Sequence, residues 1–136
     1  MRTLLVLLLA SIAYAQLPLR ERAANGDPDA QFTLGKNYEA GRGGLKKDYA
    51  EAALWYRKSA DQGNVYAQAS LGILYRAGKG LSRDNVQAEV WFLIAADRAP
   101  AGDRDTIVEM RDSVAAHLTP PQLTEARRLA REWKPK

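Results

Sequence analysis

The feature that most constrains this chain is an internal repeat: the stretch from Asp29 to Gly63 reads again, with changes, from Tyr66 to Ala99. Ala30-Gln31 recurs as Ala67-Gln68, Leu34-Gly35 as Leu71-Gly72, Tyr38 as Tyr75 and Gly41 as Gly78. The first copy then carries one extra residue, Gly43. After it, Gly44-Leu45 recurs as Gly80-Leu81, Asp48 as Asp84, Ala52 as Ala88, Trp55 as Trp91 and Ala60-Asp61 as Ala96-Asp97. A period of 36 to 37 residues lies in the range of solenoid arrays, where a unit buries its apolar face only by stacking on its neighbours.

Each copy reads as two helices joined by a glycine-rich turn. In the first helix Ala30, Leu34 and Tyr38 fall on one face. Gly35 beside Leu34 costs about 1 kcal/mol against alanine in a helix. Its return as Gly72 predicts a packing cause, the close approach of a partner helix. Gly41 and Gly78 stand where a left-handed cap ends a helix without Cβ strain. Asp48 with Glu51, and Asp84 with Gln87, fit a capping box at the start of the second helix. The apolar face of that helix is Ala52, Trp55, Tyr56 and Ser59 in one copy and Ala88, Trp91, Phe92 and Ala95 in the other.

The flanks complete the array. Leu17 to Asn25 reads as the second helix of a truncated unit. Asp105 to His117 keeps helical spacing through Ile107, Met110, Val114 and Leu118. Thr119 and Pro120 start a last helix whose stripe is Leu123, Ala126, Ala130 and Trp133, with Pro135 as its stop. The expected division is a partial unit at 16–28, full units at 29–64 and 65–100, and a divergent capping helix pair at 101–136. Residues 1–15 read as a secretory signal peptide: Met1-Arg2, an apolar run to Ile12, and Ala13-Tyr14-Ala15 before a cut at Gln16. The expected protein is therefore periplasmic or secreted, and spans no membrane once the signal is removed. Cysteine is absent, so neither disulfides nor thiolate metal sites support the fold. The net charge of +4 is too small to argue for a nucleic-acid partner, where a dense basic stripe is expected.

The motifs Ala30-Gln31, Leu34-Gly35, Tyr38, Gly41, Gly44, Asp48, Ala52 and Trp55-Tyr56, with their second set, resemble the Sel-one-like repeat family. The second set departs from the pattern in Phe92, where tyrosine is usual, and in Ala99, where a closing glycine is usual. The tail from Leu118 also resembles the helix that often closes bacterial members. The resemblance implies an all-α fold, a right-handed α-α superhelix of antiparallel helix pairs like that of tetratricopeptide repeats. It also implies adaptor and scaffold roles, several of them in the bacterial envelope. A cysteine-rich branch of the family is associated with β-lactam hydrolysis, and this chain lacks the cysteines of that branch.

The residues offer no catalytic, cofactor or metal site. His117 is the sole histidine and the acids are scattered. Gly41 to Gly44 lacks the Lys-Ser/Thr ending of a phosphate loop. Two surfaces remain. A concave groove lined by the first helices would use Phe32, Lys36, Asn37, Ala69, Ile73 and Arg76, with Ile73 and Leu74 making it more apolar in the second unit. It would hold a peptide or protein. On that reading Ile73→Glu weakens binding without unfolding the chain. A basic turn edge of Arg42, Lys46, Lys47, Lys79 and Arg83 would instead suit an anionic envelope polymer such as peptidoglycan.

Overall fold

A computed structural model describes residues 1–15 and 18–136, and every regular element among them is a helix. The order is α1 (Arg2–Ala15), α2 (Leu19–Ala24), α3 (Pro28–Ala40), α4 (Tyr49–Asp61), α5 (Val65–Ala77), α6 (Asn85–Arg98), α7 (Ala101–Ala115) and α8 (Pro120–Glu132). The expected cut before Gln16, and Leu17 of the expected half unit, fall outside the described residues.

The repeat becomes two antiparallel pairs, α3 with α4 and α5 with α6, each in close contact along its length. Both first helices stop at a left-handed glycine, Gly41 at φ 66° and Gly78 at φ 65°. The recurring Leu-Gly has the packing cause that the sequence predicts. A Cβ built on Gly35 would lie 2.6 Å from the Tyr56 ring, and one on Gly72 would lie 2.8 Å from the Phe92 ring. Glycine lets each pair close, so the helix-propensity cost is offset by the burial of a whole aromatic side chain.

The recurring Ala-Gln joins one unit to the next. Gln31 Nε2 donates to the Ala23 carbonyl at 3.1 Å, and Gln68 Nε2 to the Ala60 carbonyl at 3.2 Å. Both glutamines are buried. Each therefore adds a second donor to a carbonyl near the end of the preceding unit's helix, which also accepts the N–H of Gly26 or Gly63, and so ties the two units together.

The second helices are capped differently from the expectation. Asp48 and Asp84 accept from the backbone N–H of Glu51 and Gln87, both at 3.0 Å. The reciprocal half of a capping box is missing because the caps' own N–H groups are already used. That of Asp48 donates to the Tyr38 carbonyl and that of Asp84 to the Tyr75 carbonyl, tying each turn to the end of its first helix. The full reciprocal box forms at α8, between Thr119 and Gln122.

The last two helices each pack on α6 rather than along one another. Helix α7 starts at Ala101, earlier than Asp105, because Pro100 supplies the extended residue ahead of it. It buries Ile107 and Val114 against Phe92, Ala88 and Ala95. Helix α8 buries Ala126 and lays Leu129, Ala130 and Trp133 on the main core of Tyr56, Leu74, Trp91 and Ile94. It ends at Glu132, ahead of Pro135, since Trp133 turns to extended backbone and packs edge-on to Trp91 at 6.4 Å. The tail is then fastened to α4, with the Lys136 N–H donating to the Asp61 carbonyl at 2.8 Å. In α1, Leu4 to Leu9 are exposed and belong to none of the core clusters.

Candidate functional site

An aromatic row crosses the first helices. Phe32 of α3 is half-buried, its ring 5.8 Å from that of Tyr56 beneath it and 6.0 Å from that of Tyr66 on α5. Tyr66 is 47% exposed, and its hydroxyl donates to Asp103 of α7 at 2.9 Å. Three successive first helices are thus linked by one exposed aromatic side chain. Lys36, one turn on from Phe32, holds its ammonium 5.6 Å above the Phe32 ring. Such a row offers stacking area with little rotamer entropy to lose, and a cation beside it.

The floor of this row is polar at one point. The Tyr56 hydroxyl donates to the Glu39 carboxylate. Burial first, and then Glu39, push this phenol well above its usual range, so it stays a neutral donor. In the second unit Arg76 stands in the place of Glu39 and Phe92 in the place of Tyr56. Acceptor and hydroxyl are lost together, which leaves no orphaned phenol in that core.

The other expected groove residues fall elsewhere. Ala69 and Ile73 are partly buried and pack on the second core cluster with Val108 and Met110 of α7. Leu74 is 1% exposed and belongs to the main core. The groove therefore does not become more apolar through Ile73 and Leu74, because those side chains are used to dock the next helices. Glutamate at Ile73 would cost stability, so that position is unsuited to testing binding. Asn37 serves the turn: its side-chain amide faces Gly43, and its carbonyl accepts from Gly41 and Arg42. Arg76 is half-buried at the end of α5. Tyr66, the most exposed aromatic of the row, is absent from the expected set. Its signal in the sequence is that it replaces the polar Asp29 of the first copy, off the repeat pattern.

The turn edge does gather charge. Arg42, Lys46, Lys47, Lys79 and Arg83 are all exposed. Lys47 of the first turn and Lys79 of the second converge on one ring, 5.0 and 5.1 Å from the centre of Tyr49. A hydrogen bond with Lys47, joined by the nearby charges of Lys47 and Lys79, holds the Tyr49 hydroxyl below the usual phenol range. Gly80, at φ 69°, presses against the Tyr49 carbonyl where no Cβ fits, and this close approach brings the two turns together.

His117 is exposed, with Nδ1 2.9 Å from the Ser113 carbonyl. Among the described residues no group of three or more acidic or histidine side chains is placed to hold a metal ion. None of the described helices is long and apolar enough to cross a membrane.

Comparison with known proteins agrees with this geometry. The Sel1 repeat pattern matches residues 28–64 and 65–99. A protective antigen of uropathogenic Escherichia coli, c5321, which displays an SLR fold, superposes with a TM-score of 0.77 and 40% identity over 85% of this chain and 24% of its own. A Sel1 repeat protein from Oxalobacter formigenes superposes with a TM-score of 0.61 and 28% identity, over 82% of this chain and 46% of its own. In sequence the chain is 32% identical over 62 residues to HRD3A, an ERAD-associated E3 ubiquitin-protein ligase component of Arabidopsis thaliana. It spans 9% of that protein's length.

Proposed function

This chain belongs to the Sel1 repeat family, and from that premise we propose that it is a non-enzymatic adaptor of the bacterial cell envelope that holds a protein or peptide along its first helices. The fold is a helical solenoid, and Sel1 repeats generally serve as protein-interaction scaffolds. One observation carries the proposal for this chain: the half-exposed Tyr66 spans α3, α5 and α7 beside Phe32 and Lys36. A tyrosine that leaves half its surface open, on a face already ordered by Asp103, is suited to anchor an apolar or aromatic side chain of a partner.

The test is photo-crosslinking in cells from position 66, with a control at exposed Lys58 of α4, followed by binding of the captured protein to a Tyr66→Ala, Lys36→Ala variant. We expect one dominant protein crosslinked from position 66 alone, and a loss of affinity of tenfold or more, about 1.4 kcal/mol or above. Equal labelling from both positions would reject the groove. The second reading, an anionic polymer on the edge around Lys47, Tyr49 and Lys79, is favoured by the convergence of two turns on one ring. It requires affinity that falls steeply with salt, since exposed charges are screened.

Export is part of the proposal. An apolar run whose described side chains, Leu4 to Leu9, contribute to no core cluster suits a leader that is removed. The expected mass of the mature protein is that of a chain starting at Gln16, and an intact Met1 on the purified protein from its own host would reject export by cleavage.

A further inference from the structure

A cleft of about 450 Å³ opens between α6 and α8, away from the aromatic row. Its apolar wall is Leu93, Ile94, Ala130 and Trp133, and its polar rim is Arg98, Arg127, Arg131 and one carboxylate, Asp97. The volume is that of a small-ligand site rather than of a surface dimple.

The state of the arginines sets this rim apart from ordinary solvated charge. Arg128, on the same helix, is bound by both Glu125 and Glu132 at 2.7 Å. Arg98, Arg127 and Arg131 have no carboxylate or hydrogen-bond partner among the described residues. Arg98 lies with its guanidinium 4.6 Å from the centre of the Trp133 ring. Stacking occupies the face of a guanidinium and leaves its edge of N–H donors free, the geometry that receives a carboxylate through two parallel bonds. The ring beneath it is fixed in advance. Trp133 packs on Trp91, and the tail beyond it is held by the Lys136 N–H and by Lys136 Nζ, 3.7 Å from Asp61. A site ordered before binding loses less on association.

We propose that this cleft binds the carboxyl end of a peptide. The terminal carboxylate would lie on Arg98 with Arg127 or Arg131, a compact apolar side chain on Leu93, Ile94 and Trp133, and the last amide N–H would donate to Asp97. Three cations and one acid on the rim favour a singly or doubly anionic group joined to a neutral donor. A bare anion would use only part of that set.

The smallest probe with all three features is N-acetyl-leucine. Its neutral counterpart, N-acetyl-leucinamide, keeps the side chain and the amide and loses the charge. Binding is read from the three indole N–H signals of the 15N-labelled full chain, with Trp133 assigned by Trp133→Phe. N-acetyl-leucine is expected to shift the Trp133 signal saturably and leave that of Trp55 unmoved. The amide should bind about tenfold or more weakly, as expected for loss of a charge-assisted pair. Arg127→Ala, Arg131→Ala should weaken the acid by a similar factor with an unchanged helical spectrum, since both side chains are exposed. Equal binding of acid and amide, or no saturable shift, would overturn the proposal. So would inorganic phosphate binding as tightly as N-acetyl-leucine, which would show a cleft that reads charge alone.

Discussion

Phe92→Ala is expected to lower the unfolding free energy by about 3–5 kcal/mol, the usual cost of deleting a buried ring. Phe92 is fully buried at the junction of α5, α6 and α7, so its loss loosens the second unit and the docking of α7 together. Gly72→Ala alone has two opposed effects. It gains roughly 1 kcal/mol of helix propensity. It also sets a methyl 2.8 Å from Phe92 Cε1 and 3.0 Å from Cδ1 and Cζ, which a packed ring cannot avoid without moving the helices apart. Overpacking of this kind costs about 1–3 kcal/mol, so the overlap wins and the single variant is destabilised. In the Phe92→Ala background the ring is gone, and Gly72→Ala should become stabilising. Urea unfolding of the four proteins measures the cycle. A sign for Gly72→Ala that is the same in both backgrounds would show that the glycine is kept for some reason other than the ring.

That coupling also shows why so much of the fold is legible in the sequence. A repeat states each structural need twice, and a costly residue in both copies must have a cause. Gly35 and Gly72 point to close helix pairs, and the aromatic rings of Tyr56 and Phe92 stand over them. Gly41 and Gly78 end their helices as read. The half-made capping boxes are harder to foresee, since the N–H groups of Asp48 and Asp84 are taken by carbonyls ten and nine residues earlier in the chain, contacts that no local motif encodes. The terminal helices are legible as helices, while their packing on α6 depends on tertiary fit alone.

The candidate site is legible in part, for a related reason. Off-pattern positions divide into those that dock the next unit and those that face water, and periodicity does not separate them. Ile73 and Leu74 read as groove because they replace polar residues of the first unit. They are apolar because they enter the two core clusters with residues of α7 and α8, whereas Lys36 is exposed and Asn37 serves its own turn. Tyr66 goes the other way: an aromatic at an exposed position, bridging helices through its ring and its hydroxyl. The cleft beside Trp133 depends on where the tail folds back, which the stripe of α8 leaves open.

The strongest dependence of stability on pH should come from Glu89. It lies on α6 between α7 and α8, 3% exposed, with Oε2 lacking any hydrogen-bond partner among the described residues. Burial raises its pKa; Arg111 and Arg127 oppose that and Asp112 adds to it, and the balance puts the carboxyl at about 7. Arg111 is paired with Asp112 at 2.7 Å, and the carboxylate of Asp112 offsets part of its effect on Glu89. In the unfolded chain the group returns to its ordinary value of 4.5. Between these two values the folded protein holds a proton that the unfolded chain has released. Stability must therefore fall as pH rises from about 4.5 to about 7, and level off above, where both states are ionised. Each tenfold change in proton affinity on folding is worth roughly 1.4 kcal/mol, so the anion costs on the order of 3 kcal/mol above that window. Glu89→Gln mimics the protonated form, so it should flatten this part of the profile and raise the melting temperature at pH 8 by several degrees, with little change near pH 4.5. Glu125, held below the usual carboxylate range by its hydrogen bond with Arg128, acts with the opposite sign and only in more acid solution. Thermal unfolding of both proteins across the range decides the matter. A melting temperature at pH 8 that falls on going to glutamine would mean that the carboxylate is paired and useful as an anion, with Arg111 or Arg127 turned toward it.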